Sequence, residues 1–351
     1  MLKRKDIRSL NYEEMQEWVI SIGEKPFRGK QVYEWLHQKL AEDFEEMSNL
    51  PKTLREKLSN EFQLGKTRVV EKLESKTDGT CKFLFQLADG NVIESVLMKY
   101  KHGNSVCISS QAGCRMGCRF CASTIDGLAR NLEVSEMLGQ IYAIQKISGE
   151  RVSNVVVMGS GEPFDNYENT VKLIHMLSDE KGLHISQRNI TVSTCGIVEN
   201  IIKLAEEKLQ ITLAISLHAP NDEVRKELMP VANRYTMAQI YEACQYYFKQ
   251  TGRRITFEYS LVEGVNDKEE YAHQLAVYLK GLNCHVNLIP VNPIQERNYK
   301  DTKRKYVENF KNILEKSKIN VTIRREMGRD IDAACGQLRK RYMDYKSTEE
   351  E

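Results

Sequence analysis

Residues 105–121 have the sequence SVCISSQAGCRMGCRFC, in which a short apolar run leads into three closely spaced cysteines. Similar runs follow along the chain, and helical stretches such as 134–147 and 303–317 lie between them. Short buried strands that alternate with helices are typical of parallel βαβ units. The predicted strands are 105–109, 154–158, 189–193, 210–216, 254–259, 285–289 and 320–324. They provide fewer units than the eight of a closed barrel, so the sequence predicts an α/β fold with a partial, (β/α)6-type barrel that is open laterally.

Two regions of different character precede this barrel. Apolar residues recur at helical spacing over residues 11–62, which predicts a small helical module. Residues 81–86 and 92–98 are strand-like runs separated by a turn that contains Asp89-Gly90, and Asp-Gly is a strong hairpin signal. The expected regions are a helical accessory domain (1–66), a β-hairpin linker (67–100), the barrel (101–328) and a C-terminal segment (329–351).

The composition is that of a globular protein with a proper core. Hydrophobic residues make up 41% and charged residues 28% of 351 positions, which excludes a disordered or collagen-like chain. No apolar run approaches the roughly 18 residues of a membrane-spanning helix, and residues 1–6 lack the apolar stretch of a secretory signal. We therefore expect a cytoplasmic protein with no membrane partner. Nine cysteines in that reducing compartment favour metal binding or catalysis over a disulfide scaffold.

The cysteines of the opening stretch have the spacing of a metal centre. Cys114, Cys118 and Cys121 form a C-x3-C-x2-C motif with an aromatic residue before the last cysteine. A structural zinc site takes four ligands, usually in C-x2-C pairs, and no partner pair follows here. Three thiolates can hold a cubic iron–sulfur cluster and leave one iron open, whereas electron-transfer clusters are closed by four cysteines. The motif therefore indicates a [4Fe-4S] cluster with chemistry at its open iron.

Polar or glycine-containing segments follow several of the predicted strands. They contain Gly161-Glu162, Ser193, Ser216-Leu217-His218 and Asn292. Active sites of parallel α/β barrels lie at the carboxyl ends of the strands, so we expect these segments to converge with the cysteines. A serine after a strand is more often a turn former, and a single histidine is more often structural than catalytic. The pattern alone leaves the role of each residue open.

The cysteine motif resembles that of the radical S-adenosylmethionine (SAM) superfamily. The resemblance implies that Cys114, Cys118 and Cys121 hold a [4Fe-4S] cluster. It further implies that the open iron binds the amino and carboxylate groups of SAM, which is cleaved to a 5′-deoxyadenosyl radical. The residues that it implies for SAM binding are Gly161, Glu162, Ser193, Ser216, Leu217, His218 and Asn292.

Nearly the whole chain resembles the RlmN family of RNA methyltransferases, which is related to the Cfr methyltransferases. The matching stretches include residues 27–31, 50–51, 107–111, 130–132, 216–221, 228–230 and 330–338. The resemblance implies that Cys335 carries the methyl group, that Cys107 resolves the intermediate through a transient disulfide with Cys335, and that Glu94 accepts a proton. Without it, Cys107 would be taken as a small buried hydrophobe and Glu94 as a surface residue. Cys335 follows an Arg-rich segment, a setting that favours the thiolate.

The resemblance also implies a reaction and its substrates. The protein is expected to methylate C2 of adenine in large-subunit ribosomal RNA, at the peptidyl transferase centre, and in transfer RNA next to the anticodon. It would use two SAM molecules per turnover, an S-methylcysteine intermediate and an electron donor such as flavodoxin or ferredoxin, and act as a monomer. C2 lies between two ring nitrogens and is electron-poor, which disfavours polar methyl transfer. The alternatives are a Cfr-like adenine C8 methyltransferase of ribosomal RNA, a glycyl-radical activase and a zinc-stabilised RNA-binding module.

Basic residues are concentrated towards the C-terminal end. The net charge of the chain is only +2, but residues 297–341 contain fourteen Lys or Arg and six Asp or Glu. Lys303-Arg304-Lys305, Arg324-Arg325 and residues 339–341 are therefore expected to contact phosphates near Cys335. A solvated helix face explains the cluster at 303–305 equally well. Tyr33 and Trp35, with the nearby Arg28 and Lys30, are further candidates for RNA contact, although aromatic residues at helical spacing more often lie in a core.

Overall fold

In the computed structural model, which describes residues 4–290, 299–325 and 327–331, a mixed sheet of ten strands is flanked by helices. The strands along the chain are β1 (Arg68–Glu74), β2 (Cys81–Gln86), β3 (Val92–Tyr100), β4 (Gly103–Ile108), β5 (Gln111–Gly113), β6 (Leu128–Asn131), β7 (Val152–Val157), β8 (Ile190–Thr194), β9 (Thr212–Ser216), β10 (Ile255–Leu261), β11 (Cys284–Pro290) and β12 (Asn320–Ile323). Only β5 and β6 lie outside the large sheet, and they pair with each other.

Seven neighbouring strands of the large sheet run parallel. The order is β1-β2-β3-β4-β7-β8-β9-β10-β11-β12, and every pair from β4 to β12 is parallel. These are the seven strands predicted from the sequence, and each boundary agrees within two residues. Within the described residues the sheet keeps two edges, at β1 and β12, so the prediction of an α/β fold with a partial, laterally open barrel is confirmed.

Helices connect the parallel strands and cover them. The helices are α1 (Tyr12–Ser21), α2 (Pro26–His37), α3 (Lys52–Glu61), α4 (Val134–Ser148), α5 (Tyr167–Ser178), α6 (Val198–Glu206), α7 (Asp222–Leu228), α8 (Met237–Thr251), α9 (Glu269–Tyr278) and α10 (Arg304–Lys316). In α8, Thr236 and Gln239 form a capping box at the start, and Gly252 ends the helix in the left-handed conformation. Its buried residues follow the helical period. No helix of the described part of the chain is long and apolar enough to cross a membrane.

The linker before the barrel is part of the same sheet. β2 and β3 form the predicted hairpin, with Gly90 at a positive φ of 88° in its turn. β1 adds a strand that the sequence did not suggest, and β3 also pairs with β4, the first strand of the barrel. β1 has no fully buried residue and carries charges, as edge strands often do, which hides its strand pattern. The antiparallel part therefore extends the barrel sheet instead of standing apart from it.

The helical module at the N-terminal end packs against α4. The ring nitrogen Nδ1 of His37 lies 2.6 Å from the hydroxyl of Tyr142 in α4, and Arg8 donates to the carbonyl of Ala41. Tyr33 is fully buried in the core, so the core alternative is correct for this residue and it has no surface for RNA. Trp35 is partly buried and lies beneath the ammonium group of Lys39, 3.8 Å from the ring centre.

Candidate active site

A loop between β5 and β6 carries the three cysteines of the motif. The two short strands pair antiparallel, and the N–H of Cys114 donates to the carbonyl of Gly127 at 2.8 Å, which closes the base of the loop. Gly113 has a positive φ of 80°, and a Cβ atom there would lie 2.1 Å from the Gly127 oxygen. Only glycine fits this position, and it brings the start of the loop to the end of the barrel.

The loop faces a cavity at the carboxyl ends of the parallel strands. The cavity has a volume of about 200 Å³ and opens to solvent. The predicted residues that line it are Cys114, Cys118, Cys121, Gly161, Glu162, Ser193, Ser216 and His218. Leu217 has a fully buried side chain that belongs to the hydrophobic core, so only its backbone is available to a ligand. Asn292 lies outside the described residues. The convergence expected from the strand ends is thus seen for eight positions.

The loop after β7 is packed tightly enough to fix Glu162. A Cβ atom on Gly159 would lie 2.7 Å from the Ile108 carbonyl, and one on Gly161 would lie 2.5 Å from Gln111. The Glu162 side chain is 4% exposed, and its carboxylate accepts the N–H groups of Cys195 at 2.7 Å and Phe164 at 3.0 Å. Burial raises the pKa of this carboxyl above its usual value, while the N–H donors act in the opposite direction.

Among the described residues, no Lys or Arg forms an ion pair with Glu162. Its buried charge is stabilised by backbone N–H groups and the Thr194 side chain, all of them uncharged, and that leaves the carboxylate able to bind an added cation. The ammonium group of an amino-acid ligand has the charge and the donors for this position.

His218 and two serines form the opposite wall of the cavity. The hydroxyls of Ser193 and Ser216 lie 3.2 Å apart. Nδ1 of His218 accepts the N–H of Ser260 at 2.9 Å, which assigns the ring proton to Nε2. Burial lowers the pKa of His218 to about 3, so its ring is neutral at physiological pH. This wall offers hydroxyl groups and an uncharged N–H, which suit the hydroxyls and ring nitrogens of a nucleoside.

Two charged residues also line the cavity. Glu258 was missed in the sequence, whereas Arg324 was expected as a phosphate contact and not as part of this cavity. Glu258 lies in the middle of β10, is 5% exposed and accepts a hydrogen bond from the side chain of Asn287 at 2.9 Å. Arg324 follows β12, lines the same cavity and donates its N–H to the carbonyl of Leu288. The signal for Glu258 was a single acid within an otherwise apolar strand, since Glu is rarely buried without a reason.

Cys107 and Glu94 lie beside this cavity on the antiparallel side. Cys107 of β4 is paired with Val96 of β3, and it packs with Met158, which itself lines the cavity. Glu94 lies two residues before Val96 on the same strand, so both side chains point to the same face of the sheet. Its side chain is only 3% exposed, which is not the surface location that an isolated Glu in a strand suggests.

The chain returns to this face at its C-terminal end. Met327 packs with the cluster that contains Cys107. The N–H of Gly328 donates to Asp78 at 2.9 Å, and Asp330 accepts the N–H of Lys76 at 2.9 Å. Residues 327–331 are thus held against the turn between β1 and β2. Cys335 and the basic residues 339–341 lie outside the described residues.

Of the basic clusters, 303–305 and 324–325 are described. Lys303 caps α10, and the exposed Arg304 pairs with Glu308 of the same helix. Arg324 is the member that reaches the cavity, while Arg325 is exposed beside it. Both interpretations of 303–305, a phosphate contact and a solvated helix face, stay open.

Comparison with known proteins identifies the family. Residues 5–64 match the family model of the ribosomal RNA large subunit methyltransferase N-terminal domain, and residues 108–276 match that of the radical SAM superfamily. The chain is 64% identical over 345 residues to the probable dual-specificity RNA methyltransferase RlmN of Lachnoclostridium phytofermentans, covering 98% of this chain and 97% of that protein. It is 54% identical over 339 residues to the protein of the same name from Clostridium novyi, covering 97% and 99%. The chain belongs to the RlmN family.

A solved structure supports the fold of this RlmN family member. The crystal structure of a radical SAM methyltransferase from Sphaerobacter thermophilus has a TM-score of 0.91 and 42% identity, and the match covers 95% of this chain and 98% of that one. The family places the protein among the SAM-dependent methyltransferases. The activase and the zinc-stabilised module are therefore not supported. The electron donor and the monomeric state stay predictions.

The cofactors of a radical SAM enzyme of the RlmN family are a [4Fe-4S] cluster and SAM, and the site has the donors for both. Three thiols line the cavity. Within the described residues, however, no three Cys, His, Asp or Glu side chains are close enough together to bind a single metal ion. A cubane cluster takes each thiolate on a different iron, so thiols spread around a cavity suit it. Burial raises the pKa of Cys114 to about 12, so a metal that bound this sulfur would have to displace its proton.

Proposed function

We propose that the protein methylates C2 of adenine in large-subunit ribosomal RNA, at the peptidyl transferase centre, and in transfer RNA next to the anticodon. The relatives carry the name dual-specificity RNA methyltransferase, which supports two classes of RNA. The observation that carries the proposal is the arrangement of Cys107 and Glu94 on one buried face next to the cysteine-lined cavity. A methyltransferase that only needed to bind SAM and RNA would have no use for this second cluster of reactive groups.

The cavity would hold the cofactors. Cys114, Cys118 and Cys121 are proposed as the ligands of the cluster, which together with SAM supplies a 5′-deoxyadenosyl radical when both are bound. Glu162, which lacks a cationic partner among the described residues, would bind the SAM ammonium group. The remaining proposed SAM contacts are Gly161, Ser193, Ser216, the backbone of Leu217, His218 and Asn292.

The second cluster would complete the transfer. In this proposal the Cys335 methyl group would give up a hydrogen atom to the radical that the cofactors supply, and its carbon would form a bond to C2. Glu94 would take the proton that leaves C2, and the unpaired electron of the adduct would return to the oxidised cluster. The Cys107 thiolate then attacks the Cys335 sulfur, the bond from that sulfur to the transferred carbon breaks, and the carbon takes a proton to complete the methyl group. A Cys107–Cys335 disulfide remains, and an external electron donor of the flavodoxin or ferredoxin type reduces it.

The position of the C-terminal segment supports this pairing of cysteines. Met327 is in contact with the cluster around Cys107, and Cys335 follows it by eight residues. Eight residues of extended chain span at most roughly 28 Å. Because Met158 packs against the cluster that contains Cys107 and also lines the cavity, both the resolving thiol and the cavity lie within that reach.

Mass spectrometry of nucleosides tests the proposal. Ribosomal and transfer RNA would be treated anaerobically with the reconstituted protein, SAM and reductant, alongside the Cys335→Ala variant. We expect 2-methyladenosine in both RNA pools with the wild-type protein and none with the variant. Production of 8-methyladenosine would assign the protein to Cfr-like chemistry instead. Unmodified RNA together with 5′-deoxyadenosine formation would show that the proposed substrate is wrong.

A further inference from the structure

β2 and β3 carry a buried ion pair that the proposed reaction does not yet use. Nζ of Lys82 lies 3.3 Å from Oε2 of Glu94, and the two side chains are 0% and 3% exposed. The other ion pairs between described residues each have at least one partner that is clearly exposed or half-buried. A charge is rarely placed in such a dry position unless it is compensated, and here each group compensates the other.

The strand register places this pair next to the resolving cysteine. Lys82 is paired with Val96, and Val96 is paired with Cys107 on its other side. Directly paired residues of neighbouring strands point to the same face, as do residues two apart on one strand. Lys82, Glu94 and Cys107 therefore share one face of the sheet. The ammonium group of Lys82 lies on the face where the proton of the substrate would be removed.

We propose that Lys82 is a positioning residue that holds the Glu94 carboxylate charged and oriented for proton removal from the RNA adduct. The inference rests on the proposed role of Glu94. In the step concerned, the C2–H bond breaks, its electron pair stays in the adenine ring, and the proton goes to a Glu94 oxygen. Protonation of Glu94 removes the negative charge beside the Lys82 ammonium in a buried site, which favours release of the proton to solvent and restores the ion pair.

Removal of the Lys82 charge should impair the base and leave SAM cleavage intact. Without the Lys82 ammonium, the Glu94 carboxylate loses the charged partner 3.3 Å away that stabilises and orients it, so it accepts the C2 proton less readily. Glu162 and the cluster ligands lie on other elements of the cavity and keep their contacts. The structure therefore separates the radical step from the proton step.

The experiment compares the reconstituted Lys82→Met holoenzyme with wild type on an RNA fragment that carries hydrogen or deuterium at adenine C2. We expect formation of methylated product to fall about 10-fold or more, since a general base contributes about 10²–10⁴-fold. Formation of 5′-deoxyadenosine in the first turnover should stay at the wild-type level. Deuterium should slow product formation in the variant more than in wild type, because proton removal has become rate-limiting. The covalent RNA–protein adduct should accumulate.

Matched variants separate charge from packing. Lys72→Met on the neighbouring β1 removes an exposed lysine that pairs with Glu74, and it should behave as wild type. Lys82→Arg keeps the charge and should recover part of the rate. Lys82→Gln keeps a hydrogen-bond donor without the charge, and it should show the same enlarged isotope effect even where Lys82→Met fails to fold.

Two outcomes would overturn the inference about Lys82. One is a wild-type isotope effect in Lys82→Gln and Lys82→Met, and the other is a loss of 5′-deoxyadenosine formation in proportion to product. The underlying proposal is tested separately by Glu94→Gln. If that variant releases methylated RNA at the wild-type rate, Glu94 is not the base and the proposed function fails at that point, independently of Lys82.

Discussion

In the parallel part of the sheet, the buried carboxylate of Glu162 is held by backbone N–H groups, whereas in the antiparallel part the buried carboxylate of Glu94 is held by the charged Lys82. Dipoles stabilise a charge without neutralising it, so Glu162 keeps its capacity for a cationic ligand. Glu94 already has its cation. In our proposal, one of these buried carboxylates therefore binds a cation and the other exchanges a proton.

The difference follows from the local backbone. At the carboxyl ends of parallel strands the chain turns away from the sheet, and the turn after β8 has an N–H group, that of Cys195, that is free to point at Glu162. In the antiparallel ladder of β2 and β3 the backbone groups are used in strand pairing. A buried carboxylate in the ladder therefore needs a side-chain partner, and a lysine on the adjacent strand provides it.

The largest effect is expected at the cysteine loop. Cys118→Ala should remove one of three cluster ligands, and the reconstituted protein should lose its iron, its brown colour and all detectable methylation. Iron and sulfide analysis measures this. Cys284→Ala is the control, because Cys284 lies at the start of β11, at the opposite end of the strands from the cavity, and should leave the iron content unchanged. A full iron complement in Cys118→Ala would mean that the motif is not the cluster site.

A smaller loss is expected when the charge of Glu162 is removed. Glu162→Gln should weaken SAM binding about 100-fold, the effect of about 2.7 kcal/mol for a charge-assisted contact. Isothermal titration of SAM into the reconstituted protein measures this, and the exposed Glu168→Gln in α5 is the control.

The pH dependence of SAM affinity is a second test of the charge on Glu162. Burial raises the pKa of Glu162, so its charged form should be lost on acidification at a higher pH than that of an ordinary carboxyl group. SAM affinity should therefore fall as the pH decreases through that raised pKa, and it should be constant above it. A Glu162→Gln variant should lack this acid limb. An affinity in wild type that is insensitive to pH down to the usual carboxyl range would show that no cation pairs with Glu162.

The contact of residues 327–331 with the turn between β1 and β2 belongs to the antiparallel side of the sheet. Weakening it should lower methylation by an intermediate amount and leave SAM cleavage unchanged. Asp78→Ala removes the acceptor for the Gly328 N–H and should speed hydrogen exchange in a peptide that covers these residues. Methylation should fall about 5- to 10-fold, which corresponds to about 1–1.4 kcal/mol for the loss of one hydrogen bond, while 5′-deoxyadenosine formation is kept. Glu61→Ala, at the exposed end of α3, is the control. Unchanged exchange would mean that the segment is held by other contacts.

Much of the barrel could be predicted because its signals are local. Runs such as VSNVVV in β7 show their strand character without reference to the rest of the chain, and the residues after such strands necessarily meet at one edge of the sheet. That is why Glu162, Ser193 and His218 could be expected near the cysteine loop. Their roles as ligands of a cofactor stay predictions, as do the positions of Asn292 and Cys335.

The antiparallel side was less predictable because its contacts are not local. The pairing of Lys82 with Glu94 depends on the register of two strands, which a period-two pattern does not determine. The packing of Met327 against the cluster of Val96, Met98 and Cys107 joins parts of the chain more than 200 residues apart, since Met327 follows Cys107 by 220 residues. β1 has the exposed, charged pattern of an edge, and Glu258 is hidden within a strand that otherwise appears to be core.

The smallest effect on SAM affinity is expected for the protonation of His218. This prediction tests whether the groups that line the cavity on the parallel side are uncharged. Burial lowers the pKa of His218 to about 3, so the ring should stay neutral from pH 8 to pH 5 and contribute no change in SAM affinity there. The cost appears in stability instead. Below the ordinary histidine pKa the unfolded chain binds a proton that the folded chain does not, so the free energy of unfolding should fall by about 1.4 kcal/mol per pH unit between about 6.5 and 3.

The ring signals of His218 in NMR spectra, assigned by comparison with His218→Asn, measure its protonation directly. They should show no titration between pH 8 and pH 5. A midpoint near 6.5 for His218 would show that a charged ring is tolerated against Phe120 and the Ser260 N–H. The parallel side of the sheet would then not rely on uncharged partners at this wall of the cavity, and the contrast with the antiparallel side, where Lys82 pairs with Glu94, would not extend to His218.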